Sequence, residues 1–151
     1  MTQGMKRALG GLIIWGLVLL GFAVTVFAGG GPAELAGERG RILAGAVFLG
    51  LGYLAFWAML WITRERESGG RVTRDERDLE IGQRATATAL AVVMGFVFLC
   101  CIILYEAHRE PAVLPIGWMW FLAYASILVG QLALSLSALA QHLGMGDHGQ
   151  G

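Results

Sequence analysis

Few side chains in this 151-residue chain are spaced to do chemistry. Glu106, His108 and Glu110 form one group of metal-ligand types, and His142, Met145, Asp147 and His148 form another. Neither group has the tight ligand spacing of a zinc motif. The glutamates read instead as interfacial carboxylates, and the second group as part of a glycine-rich tail. Cys100 and Cys101 are the only cysteines, and adjacent residues rarely reach unstrained disulfide geometry. Core packing is the expectation for both. No nucleophile–base pair, phosphate-cradling glycine loop or paired catalytic carboxylates stand out. The expectation is therefore no metal, no cofactor and no enzymatic activity.

The elements that would position these groups follow from hydropathy. The chain is 56% hydrophobic with a mean hydropathy of +0.65, against roughly 45–50% apolar content in soluble domains. Only 15% of its residues are charged, where about 25% is usual. Four stretches lack Asp, Glu, Lys and Arg altogether: 8–28, 42–63, 85–105 and 116–139. A helix rises about 1.5 Å per residue, so about 20 residues cross a hydrocarbon core about 30 Å thick. Each stretch is long enough. The expected fold is all-α: one transmembrane domain over 1–151 whose four helices form two hairpins, joined by a loop at 64–84. The spans also lack histidine, which argues against a proton-coupled carrier. A formal net charge of zero gives no ground for nucleic acid as a direct partner.

Lys and Arg are retained on the cytoplasmic side of short loops. With four spans, one side carries Lys6, Arg7, Arg64, Arg66, Arg71, Arg74, Arg77 and Arg84, and the other only Arg39, Arg41 and Arg109. Eight against three predicts a plasma-membrane protein with both termini in the cytoplasm. Trp57 and Trp61 at one end of span 2, and Tyr105, Trp118 and Trp120 at the opposite ends of spans 3 and 4, suit the two interfaces. This topology also puts the two candidate ligand groups on opposite sides. The first apolar run exceeds the about 7–15 residues of a signal-peptide core, so an uncleaved helix is expected. Cleavage after Val26-Phe27-Ala28 is the alternative, and would leave three spans.

The polar sequence is concentrated between the hairpins. Ser68-Gly69-Gly70 breaks the chain, and Thr73-Arg74-Asp75-Glu76 matches a capping box, in which the Thr hydroxyl and Glu carboxylate each satisfy an orphan backbone N–H. Arg74 with Asp78, and Glu80 with Arg84, are spaced i,i+4. A helix is expected from about Arg74 into span 3. Six acidic residues in the loop balance six arginines, so it is not a polybasic lipid anchor.

Asp75, Glu76, Arg77, Asp78, Ile81, Arg84 and Ala85 give the pattern DERD–x–x–I–x–x–(K/R)–A. With the four-span layout, this resembles an uncharacterised family of small bacterial and archaeal predicted membrane proteins. The resemblance implies the fold but no assigned activity. Some members are encoded beside small DNA-binding regulators, which implies a regulatory role tethered to the membrane.

Small residues are spaced for close helix contact, on which association in lipid depends. Ala87, Ala91 and Gly95 mark one face of span 3; Ser126, Gly130, Ala133 and Ser137 a stripe on span 4; Ala46 and Gly50 another on span 2. These faces pack either within the bundle or between copies, and leucine at Gly95 or Gly130 is expected to hold them apart. Gln131, in mid-span, is expected to hydrogen-bond another helix rather than a substrate. Two functional readings result. One is a protein-binding or accessory subunit that presents Thr73, Arg74, Asp75, Glu76, Arg77, Asp78, Ile81 and Arg84 to a partner protein or to a second copy. The other is a small oligomeric channel or exporter.

Overall fold

The chain begins with a helix that already contains two of its eleven basic residues, Lys6 and Arg7. The computed structural model describes residues 3–63, 76–109 and 113–144, with the backbone alone at 3 and 76–78. The helices are α1 (Gln3–Phe27), α2 (Arg39–Ile62), α3 (Glu76–Ala107) and α4 (Gly117–Gly144), with a 3₁₀ turn at Pro32–Glu34. All four are long and apolar enough to cross a membrane, and no strand occurs among the described residues. Each runs beyond its charge-free stretch. A helix satisfies its own backbone polar groups through the interface, while long basic side chains reach from its ends into water.

Packing makes α1 and α4 the middle of the bundle. α4 packs on α3 and on α1, α1 also packs on α2, and α2 touches α4 lightly. Buried positions on α1 fall at Ala8, Gly11, Trp15, Val18, Phe22 and Val26, the three-and-four spacing of a single helix face. Trp15, Val18, Phe22 and Val26 form the core with Leu35, Leu49, Tyr124 and Leu128. Aromatic edges order it: Trp15 meets Tyr53 with ring centroids 4.9 Å apart, and Phe22 meets Tyr124 at 5.6 Å. The outward faces carry exposed Leu17, Leu54, Trp57, Met94 and Phe98, which contact lipid.

The α1–α2 connection folds back into the bundle. Gly30 and Gly31 adopt positive φ (98° and 106°), which glycine does without a Cβ penalty. Arg41 donates to the Gly29 carbonyl and pairs with Glu38 at 2.9 Å. Leu35 is thereby driven into the core at 1% exposure. The 3₁₀ turn sits against the start of α4 at Gly117, and Tyr124 donates to the Ile42 carbonyl at 3.0 Å.

Two of the expected packing faces turn out of the bundle. Ala87, Ala91 and Gly95 are exposed, and among the described residues no atom outside the local helix backbone comes within 4 Å of a Cβ built on Gly95. The inward face of α3 is Ile81, Ala85, Ala89 and Leu104. On α2, Ala46 and Gly50 are exposed, while Gly45, Leu49 and Gly52 are buried. A Cβ at Gly52 would lie 2.7 Å from Val18 Cγ2 and 3.2 Å from Trp15 Cζ3. The α4 stripe is half-buried: Gly130 faces Val93 of α3 with a Cβ approach of 3.1 Å, flanked by Ser126, Ala133 and Ser137.

Candidate functional site

The antiparallel order gathers the start of α1, the end of α2, the start of α3 and the end of α4 at one end. Arg7 ties two of them. Its Nε donates to Thr63 Oγ1 at 3.0 Å and its Nη2 to the Thr63 carbonyl, placing a cation on the negative end of the α2 dipole. The Thr63 hydroxyl in turn donates to the Met59 carbonyl at 2.8 Å. Beside them α3 begins. At about 1.5 Å per residue its 32 residues rise about 48 Å, well beyond a core about 30 Å thick. Its charge-free stretch starts only at Ala85.

The first turns of α3 have two faces. Ile81 and Ala85 are 2% and 1% exposed and seat the helix in the bundle. Ile81 is therefore not part of a partner-facing surface, contrary to the sequence expectation. On the outer face Arg84 Nη2 pairs with Glu80 Oε1 at 2.5 Å, with both side chains more than half exposed. Thr86 and Thr88 return their hydroxyls to the carbonyls of Gly82 and Arg84 (2.8 and 2.9 Å). Thr73, Arg74 and Asp75 lie outside the described residues, as do the side chains of Glu76, Arg77 and Asp78.

In mid-membrane, Gln131 Nε2 of α4 donates to the Tyr53 hydroxyl of α2 at 3.3 Å. Trp15 packs on the same tyrosine, and its indole N–H has no hydrogen-bond partner among the described residues. Interhelical hydrogen bonds of this kind average about 0.6 kcal/mol, with a maximum near 1.7. Gln131→Leu and Tyr53→Phe are each expected to cost about that much in an unfolding titration. The double variant is expected to cost no more than either alone, because both remove one bond.

At the other end, His108 Nδ1 is 3.2 Å from the Leu104 carbonyl and the ring lies edge-on to Trp118. An open groove of about 570 Å³ lies there, lined by Cys101, Leu104, Tyr105, His108, Arg109, Leu114 and Leu122. Among the described residues no three His, Cys, Asp or Glu side chains gather to hold a metal. Glu106 and His108 are at this end and His142 in the last turn of α4, while Glu110, Met145, Asp147 and His148 lie outside the described residues. Cys100 and Cys101 are free thiols, half-buried and exposed respectively.

Arg7–Thr63, Tyr53 and the seat of Pro32 and Ala33 on Gly117 had no counterpart among the sequence expectations. Leu35 did leave a signal, as the one large apolar side chain in AELAGER.

No curated protein and no solved structure matches the chain. A family model covers residues 4–137, nearly the whole four-helix unit and the charged start of α3 with it, and the chain belongs to that family, the predicted membrane proteins DUF2178.

Proposed function

We propose that this protein is a non-enzymatic accessory or regulatory subunit of the plasma membrane, which a partner protein reads at the charged start of α3. The supporting observation is the division of that segment. Ile81 and Ala85 lock one face into the bundle, while Glu80 and Arg84 stay exposed on the other. A helix held rigidly presents its charges at fixed positions, so little entropy is lost when a partner docks. The eight-to-three bias of basic residues supports a cytoplasmic location for this end and both termini.

The test exchanges the charge pattern and keeps the total: Arg74→Glu, Asp75→Lys, Arg77→Glu and Asp78→Lys in one variant. Misplaced like charges across an interface cost several kcal/mol, so recovery of partners in mild detergent is expected to fall about a hundredfold. Membrane insertion is expected to survive, since Arg64, Arg66, Arg71 and Arg84 remain. Unchanged partners would mean that the segment only orients α3.

A second reading, a small oligomeric channel or exporter, draws on the mid-membrane Tyr53–Gln131 pair and on the outward Ala87, Ala91 and Gly95 face. Uptake or efflux by the protein reconstituted in liposomes would favour it.

A further inference from the structure

We propose that the groove between α3 and α4, at the end beside their connection, binds one phospholipid from the adjacent leaflet, with its phosphate at Arg109 and one acyl chain against Leu104, Leu114 and Leu122. Position comes first. The charge-free stretch of α3 ends at Tyr105, so Arg109 sits at headgroup depth, with Leu104 and Leu122 on the hydrocarbon side of it. Leu104 and Tyr105 lie in the last turn of α3, and His108 and Arg109 follow just past the helix at a spacing of four from each.

Charge supplies the second argument. Arg109 is the last Lys or Arg in the chain, and none of the groove's lining residues among those described is acidic. Among the described residues Arg109 has no carboxylate partner. A guanidinium offers a planar fork of donors that matches two phosphate oxygens, and the exposed Tyr105 hydroxyl one turn earlier adds a third donor. His108 is braced by the Leu104 carbonyl and the Trp118 ring, which fixes the wall between head and chain. The volume of about 570 Å³ falls within the roughly 300–1,000 Å³ of ligand sites. It admits a headgroup and part of a chain, not a folded partner.

The experiment is native mass spectrometry of the full chain in mild detergent with added phosphatidylglycerol. Wild type is expected to retain one lipid per chain. Loss of a charge-assisted phosphate contact in Arg109→Gln is expected to weaken retention about tenfold. Leu114→Trp, which fills the groove, is expected to weaken it too. Arg39→Gln, which removes an exposed cation from the other hairpin, is expected to leave it unchanged. Circular dichroism confirms that each variant is folded. Equal retention by Arg109→Gln and Arg39→Gln overturns the proposal. So does displacement of the lipid by inorganic phosphate at equal concentration, which would make this a site for free phosphate.

Discussion

Replacing Gly117 by valine is expected to unseat the α1–α2 connection from the end of α4. A Cβ at Gly117 would come within 2.8 Å of the Ala33 carbonyl oxygen, and closer still to that of Pro32. Both are backbone atoms of the 3₁₀ turn, so no rotamer change relieves the clash. The turn must move, and Leu35 must leave the core with it. Overpacking costs about 1–3 kcal/mol, and exposing a leucine to water adds about 1.5–3. A loss of about 3 kcal/mol or more is expected in an SDS unfolding titration followed by tryptophan fluorescence. Proteolysis of the connection is expected to accelerate in parallel. Gly95→Val is the matched control, because its Cβ meets nothing within 4 Å. Equal losses at the two glycines would contradict the packing described for the connection.

Trp15→Ala is expected to have the second large effect. Trp15 is fully buried, lies against Tyr53 and Phe56, and fits only because Gly52 has no side chain. In water-soluble cores such truncations cost about 3–5 kcal/mol. In a bilayer the transfer part of that figure shrinks, since lipid is as apolar as the protein interior. The lost dispersion contacts remain, and about 2 kcal/mol is expected from them. Trp15→Phe separates size from polarity. It removes an indole N–H that has no partner among the described residues, and a buried unpaired donor costs about 1–3 kcal/mol. The phenylalanine variant is therefore expected to unfold close to wild type. A loss as large as that of alanine would show that the N–H is bonded in the membrane.

The four spans were legible because charge avoidance in hydrocarbon leaves long apolar runs, and α1 to α4 each cover one of them to within a residue. Which face turns inward was not, and the reason is physical. In water the inward face is the apolar one; in lipid both faces are apolar, and only residue size remains as a signal. On α3 that signal is ambiguous. Ala85, Ala87, Ala89 and Ala91 alternate with Thr86, Thr88 and Leu90, and two residues turn a helix by about 200°. Two small-residue faces therefore lie back to back. The bundle takes Ala85 and Ala89, which leaves Ala87, Ala91 and Gly95 to the lipid side. Gly95→Leu can thus act only between copies, not within the protomer.

Polar contacts divide in the same way. The Glu80–Arg84 pair was legible from its i,i+4 spacing because both ends are local. Arg7–Thr63 and Gln131–Tyr53 span 56 and 78 residues, and no local rule names the partner across such distances. For Gln131 the sequence supplied one end of the bond; for Arg7 it supplied only a charge near a membrane interface.

The most direct test of the partner-binding account is photo-crosslinking in intact membranes, with a photoreactive residue at Glu80 or, as control, at Leu90. Both positions are exposed on α3, one on its charged first turns and the other facing lipid. The account predicts a discrete protein adduct from position 80, lost when the four charges at 74, 75, 77 and 78 are exchanged, and only lipid adducts from position 90. Lipid adducts alone at both positions, or an adduct at position 80 that survives the exchange, would contradict it.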